Sequence, residues 1–591
     1  MNPSSKQVPG RGLALIVPLL LMQLAIPAGA LRSAEPTMPL SEVHPGMTAT
    51  VQTVFEGGAV EEFGAEIVGI LENYLGPNQD LILARLKGEK VEFTGVAAGM
   101  SGSPVYVDGK LIGALSYRIG SFMKEPIAGI TPIEYMLGIP GATDAAPMPS
   151  SALRSAVAGA QAPAGLEPIE TPLVASGVPA SALEAFGSQL ARFGLGKAMP
   201  GSASRDQADT PSPLRAGEAV AAQLVSGDIS LALTGTVTRV DGDHVLAFGH
   251  PALLTGATRF PMARAKIHLT LPSLEASTKI SRVLETIGTF DQSRLSGISG
   301  EIGPTPKMIP VRVEVQGLGG APRVVQSAIF EHREMTPLLV GVVTLSSLVN
   351  TPWSAGEMTL KLSGRIAMEG HDDVHIEDLY TSFSDADPAG LLLARDVRDL
   401  FSAVYQNRFE RPDIRSVDLK VSAVESPRLT IVEGIYPSRT QLDAGEEVEF
   451  TILLRSYQGE TSTRRFTYRV PETMQSGLLL AQVGSASSVA ASERPVVARQ
   501  VAQAGDLDEL ITLINRLRPT NALCLKINRR GAGAVVRSEL LPALPPSVFS
   551  TIGVNQGRGE VTTLMETTIH EESIPLDQIV VGGTSVLLRI R

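Results

Sequence analysis

Acyl transfer by serine requires a hydroxyl on a sharply turned backbone, small neighbours that let a substrate approach, and backbone N–H groups aimed at the oxygen that gains negative charge. The run Gly99-Met100-Ser101-Gly102-Ser103-Pro104 supplies these features. Gly99 and Gly102 relieve the steric limits on a tight turn and Ser101 lies between them. The amides of Gly99 and Ser101 are the natural oxyanion donors, and Pro104 leads into a strand. An ordinary Gly/Ser turn between strands would have the same composition.

A serine nucleophile needs a base, and histidine is the usual one. His250 follows an apolar run in Ala247-Phe248-Gly249-His250-Pro251, a context that equally suits a histidine ending a strand and bonding backbone. His44, in Val43-His44-Pro45-Gly46, precedes the serine and competes for the role. For the carboxylate that would orient the base, Asp80, Glu89 and Glu92 lie near the serine in sequence, and Asp241, Asp243 and Asp291 accompany His250. Asp80 and Asp291 are taken forward as candidate acids. His371-Asp372-Asp373-Val374-His375 carries metal-binding side chains but lacks the Glu of the zinc-protease pattern and reads as an exposed acidic turn, so no metal is assigned. Gly317-Leu318-Gly319-Gly320 lacks the strand-to-helix setting of a phosphate cradle and reads as a hairpin turn; Trp353 reads as a core anchor.

The chain resembles the stage IV sporulation protein B (SpoIVB) serine peptidases, a family of the trypsin-like double-barrel clan. The resemblance is carried by Thr94-Gly95, by Gly99 to Pro104, by Asp108-Gly109-Lys110-Leu111-Ile112-Gly113-Ala114, and by Gly129-Ile130-Thr131-Pro132-Ile133-Glu134-Tyr135-Met136-Leu137. A second block, Ala247 to Pro251 with Gly288-Thr289-Phe290-Asp291 and Gly297-Ile298-Ser299-Gly300 downstream, is similar to the family's Gly-His region. The resemblance implies Ser101 as nucleophile and His250 as its histidine, with limited proteolysis of protein or peptide substrates and no cofactor. Two departures stand out. The histidine block follows the serine block instead of preceding it, as if the halves were permuted, and the stretch Ala84-Arg85-Leu86-Lys87 has no carboxylate where the family has its aspartate. Chain order is no obstacle, because a triad is defined by geometry and role.

The elements that must position these residues are mainly β. Ala65 to Ile70, Leu81 to Arg85, Val105 to Val107 and Leu111 to Leu115 are short apolar runs between Gly-rich turns, and Asp108-Gly109 is a strong hairpin signal. Together they predict a serine-bearing barrel module over 40–140. An Ala/Pro/Ser-rich stretch over 141–215 reads as linker, with Leu183, Phe186, Leu190 and Phe193 at helical spacing within it. Strands Leu231–Leu233, Gly235–Thr238, His244–Phe248 and Val311–Val315 predict a histidine-bearing β module over 216–346. The alternation of Glu447–Leu454 and Arg464–Val470 predicts an Ig-like β-sandwich region over 350–591, and Leu507, Leu510, Ile511 and Ile514 predict one helix there. The expected fold is therefore trypsin-like β-barrel modules followed by a C-terminal sandwich with a few short helices.

A chain of 591 residues exceeds what one core organises, and its 43% hydrophobic and 19% charged residues suit folded domains. A formal charge of -11 without a Lys/Arg run excludes a nucleic-acid surface. Lys6 and Arg11, the apolar stretch Leu13 to Ile26 and then Ala28-Gly29-Ala30 read as an export signal over 1–30, so a periplasmic or secreted location is expected. Pro18 and Gln23 interrupt that stretch, which argues against a membrane anchor. Cys524 is the single cysteine, so no intrachain disulfide forms. The competing expectation is a non-catalytic envelope binding or scaffold protein on a peptidase-like fold.

Overall fold

The computed structural model describes residues 35–120, 123–140, 165–195, 198–203, 213–253, 256–317, 321–349, 357–382, 388–490, 504–536, 539–541, 545, 547–548, 551 and 561–591. The export signal, the linker over 142–164 and Trp353 lie outside them.

The first six strands are β1 (Thr48–Thr53), β2 (Glu61–Gly76), β3 (Gln79–Lys87), β4 (Pro104–Val107), β5 (Lys110–Ile119) and β6 (Ile127–Pro132). They close into a barrel in the order β1-β2-β3-β6-β5-β4, with β4 returning to β1 through Thr50↔Tyr106 and Val51↔Val105. Alternation turns Phe63, Ala65 and Ile67 of β2 inward, where they join Val51, Ile82, Leu86, Val105 and Ile130 in one core. Asp108 and Gly109 both take positive φ, the two-residue turn that the right-handed twist of a hairpin favours.

A second ring follows. Four short strands come first: β7 (Leu166–Pro168), β8 (Leu173–Ser176), β9 (Ala198–Pro200) and β10 (Ser202–Ala203). The ring itself is β11 (Ala219–Gly227), β12 (Ser230–Asp241), β13 (His244–Ala247), β14 (Gly256–Leu271), β15 (Thr278–Arg294) and β16 (Gly297–Ile302). It closes in the order β11-β14-β15-β16-β13-β12, with β12 returning to β11 over Ala219↔Thr236 to Val225↔Leu231. Phe248, Phe260 and Phe290 are buried in the core that this ring shares with the rest of its sheet. The molecule thus carries two closed six-stranded barrels, serine barrel first, where the sequence predicted β-barrel modules without a strand count.

The second barrel is part of a larger sheet. β11 also pairs with β18 (Arg323–Phe330), whose hairpin partner β17 (Met308–Gln316) continues through parallel pairing to β21 (Ile414–Val424), and then to β19 (Thr359–Met368) and β20 (Val374–Thr381). The helices Met335–Val349 and Ala389–Tyr405 pack beside one another and share this core. The two-sheet sandwich begins at Leu429, later than the expected 350, around Phe450, Phe466, Leu479, Leu525 and Leu588. Ala198–Pro200 and Ser202–Ala203, expected as linker, pair in parallel with β8 and β15. The helical stripe at Leu183 to Phe193 is two short helices, Ala180–Ala185 and Gly187–Ala191. Among the described residues no helix is long and apolar enough to cross a membrane.

Candidate active site

The serine loop runs from the end of the helix Glu89–Thr94 to β4 and is held by backbone bonds that only small residues allow. Gly99 and Gly102 both take φ near +90°, a conformation L side chains rarely adopt. At Gly102 a Cβ would stand 2.0 Å from the Thr236 carbonyl oxygen and 2.4 Å from the Phe248 nitrogen. The loop belongs to the first barrel, yet much of its grip comes from the second. The Thr236 N–H donates to the Ser101 carbonyl at 2.8 Å, the Thr236 hydroxyl to the Gly99 carbonyl at 3.0 Å and the Thr238 hydroxyl to the Gly102 carbonyl at 2.8 Å. Lys279 N–H donates to the Ala98 carbonyl at 3.0 Å. Ser101 is buried at this seam, and its Oγ has no hydrogen-bond partner.

His250 stands on the second barrel just past β13. Phe248 and Gly249 take φ of 71° and 68°, and this double left-handed turn swings the following ring out of the strand direction. The two blocks meet on one group. The Leu115 carbonyl accepts the Gly102 N–H at 2.8 Å and lies 3.2 Å from where a Cβ on Gly249 would be. The Thr131 hydroxyl anchors the turn by donating to the Gly249 carbonyl at 2.7 Å.

The imidazole is engaged away from the serine. Its Nδ1 faces the Pro251 carbonyl at 2.9 Å and its Nε2 faces the Thr171 hydroxyl at 3.4 Å. Burial lowers its pKa, against smaller opposing contributions from the Pro251 and Ile169 carbonyls, so the ring is neutral near pH 7. The candidate acids stand elsewhere. Asp80 accepts the Asn73 N–H at 2.7 Å in the β2–β3 hairpin. Asp291 accepts the Ser299 hydroxyl at 3.4 Å, and its pKa is raised by burial and by Glu301, with His244 opposing. Strand alternation explains the second placement: Phe290 and Gln292 are fully buried, so Asp291 between them points to the other face of β15. His44 is exposed in the turn before β1. His371 pairs with Asp508 at 2.8 Å, and among the described residues no group of three His, Cys, Asp or Glu side chains could hold a metal ion.

Of the two expected oxyanion donors, the Gly99 N–H is already used: it donates to the Glu170 carbonyl at 3.0 Å. The residues 166–171 that provide this contact fall in the stretch read from sequence as linker. Lys279 was likewise not singled out. Its stem packs 3.2 Å from the Cβ position of Gly99, and its buried Nζ donates to the Thr53 hydroxyl at 2.7 Å. That hydroxyl also receives Ser103 Oγ at 3.0 Å. Burial alone pulls the Lys279 pKa down to about 7. A lysine between polar residues in Ser277-Thr278-Lys279-Ile280-Ser281 carries no sequence signal for burial.

Comparison with protein families matches residues 31–137 to the family described as SpoIVB peptidase S55. This span contains the whole first barrel and its serine loop. Comparisons with curated proteins and with solved structures returned no match.

Proposed function

Because the serine barrel is of the SpoIVB peptidase type, we propose that the chain is an exported serine endopeptidase that cleaves few sites in protein substrates, its own chain among them. The observation that carries this reading is the convergence of the Ser101 and His250 turns on the Leu115 carbonyl across the seam of two six-stranded barrels. In the proposed reaction Ser101 Oγ forms a bond to a peptide carbonyl carbon while its proton passes to His250. The Gly99 and Ser101 amides hold the oxyanion. The C–N bond then breaks, the leaving amine takes the proton from His250, and water hydrolyses the ester to regenerate the serine. The neutral state of His250 suits the base role. A cleft of 1360 Å³ beside His250, lined also by Thr171, Leu253, Arg333 and Asp399, gives room for the leaving part of a substrate.

The rival reading, a non-catalytic envelope binding or scaffold protein, is favoured by the partnerless Ser101 Oγ and by a backbone carbonyl where a triad carboxylate would face His250 Nδ1. Labelling of the purified protein with a fluorophosphonate decides between them. Labelling that is lost in both Ser101→Ala and His250→Ala supports the peptidase; no labelling of the folded wild type, nor of a variant in which residues 166–171 are loosened from Gly99, supports the scaffold.

A further inference from the structure

β4 pairs with β5 only over Lys110–Ala114, which leaves the edge of β5 beyond that point able to accept another strand. The chain's own β7 takes it, antiparallel, with Tyr117↔Pro168, Arg118↔Glu167 and Ile119↔Leu166. The Ile169 N–H then donates to the Ser116 carbonyl at 2.8 Å, the Glu170 carbonyl oxygen accepts the Gly99 N–H, and Thr171 reaches His250 Nε2. One extended segment therefore lies against a barrel edge, sets a peptide carbonyl on an oxyanion donor and covers the histidine from the next residue. This is the course a peptide substrate takes when it binds by strand addition.

Side-chain chemistry gives the groove a preference. Arg118 is largely buried under this segment, and its Nη2 lies 3.4 Å from Glu167 and 3.5 Å from Glu170, both carboxylates being exposed. Its buried Nε has no partner. A buried guanidinium with donors to spare, facing two carboxylates of the strand, reads negative charge on whatever lies there.

We propose that Leu166–Thr171 is an internal pseudosubstrate seated in the substrate groove, and that Arg118 selects extended peptides with an acidic residue at the position of Glu170, which supplies the carbonyl to Gly99, and a second one at the position of Glu167. The proposal rests on the peptidase reading, but the groove stands on the strand pairing and its charge preference on the Arg118 contacts. Incoming peptides and the internal segment compete for the same edge, so Ser101 is reached only after the segment leaves.

The test uses the full mature chain carrying Glu167→Lys and Glu170→Lys, substitutions at exposed side chains that leave the barrel interior untouched. Hydrogen exchange across 165–172 and fluorophosphonate labelling of Ser101 are both expected to quicken by about three- to tenfold, the scale of losing two ion pairs. A synthetic peptide with the sequence of 165–172 should slow the labelling again in that variant, and its counterpart with lysines at the two glutamate positions should not. Unchanged exchange in the variant, or equal competition by both peptides, overturns the proposal. If exchange responds as expected and the acidic peptide alone binds by fluorescence anisotropy while no form of the protein is labelled, the groove stands and the peptidase reading falls.

Discussion

The two barrels share a strand count and a closure rule, yet they hold their key residues in opposite ways. Ser101 sits on the first barrel but is clamped by Thr236, Thr238 and Lys279 of the second, and its hydroxyl is left without a partner. His250 sits on the second barrel, and both its ring nitrogens are engaged, one of them by a segment that arrives from the first. On the proposed peptidase reading, the nucleophile is fixed by the fold, while the base is held by a contact that a strand departure would remove. That reading makes the seam, more than either barrel, the functional unit, and each side of it is open to separate attack.

The hardest blow to the seam is Gly102→Ala. Its Cβ would collide with the backbone of Thr236 and Phe248, neither of which can rotate aside, so a loss of about 3 kcal/mol or more is expected in denaturant unfolding, together with loss of labelling. Gly242→Ala provides the contrast: φ is 61° there but nothing lies within 4 Å of the Cβ, so the cost should stay near about 1 kcal/mol. If the two variants unfold alike, the close packing of the serine loop is not what secures it.

Lys279 sharpens the comparison through pH. A buried lysine with a depressed folded pKa binds fewer protons than its unfolded form between about 7 and 10.5, so stability rises with pH across that window and the charging penalty is fully present below it. Lys279→Met should remove a gain on the order of 3–5 kcal/mol between pH 6 and pH 10 from the stability profile. An unchanged profile would mean that the amine stays hydrated. For His250, a depressed pKa means the neutral, base-competent ring persists into more acidic solution than an ordinary imidazole allows. The acid limb of the labelling rate of the wild type should accordingly lie below the usual histidine range. The smallest effect is expected for Thr171→Val, which removes one long contact to Nε2 and should raise the labelling rate by about two- to threefold.

Local signals were legible and nonlocal ones were not. The Asp108-Gly109 hairpin, the strands read over Glu447–Leu454 and Arg464–Val470, and the helix read from Leu507, Leu510, Ile511 and Ile514 were legible, because each is decided by a turn or by an alternation within a single short run. The helix Met335–Val349 was missed for a physical reason: fourteen of its residues are buried, so it lacks the polar face that creates helical periodicity. The segment 166–176 was misread as linker because its partners, β5 and β12, lie up to about 60 positions away and nothing in Pro168-Ile169-Glu170-Thr171-Pro172 announces them. Ser101 and His250 were chosen from their glycine contexts and the family resemblance, and the structure brings their two turns onto the Leu115 carbonyl. Asp80 and Asp291 were chosen on sequence proximity, which says nothing of the strand face on which a carboxylate emerges.

The order of the barrels along the chain bears on the timing of synthesis. Every strand of the serine barrel lies between Thr48 and Pro132, so that ring can close while the rest is still being made. Its histidine, and the residues that clamp the serine loop from across the seam, arrive more than a hundred residues later, in a sheet whose last strand ends at Val424. A nascent chain of this design carries Ser101 well before it carries His250. On the proposed peptidase mechanism the Ser101 hydroxyl stays idle until the second barrel has been made, and a chain truncated before Ala219 should fold its first ring yet never react with a fluorophosphonate.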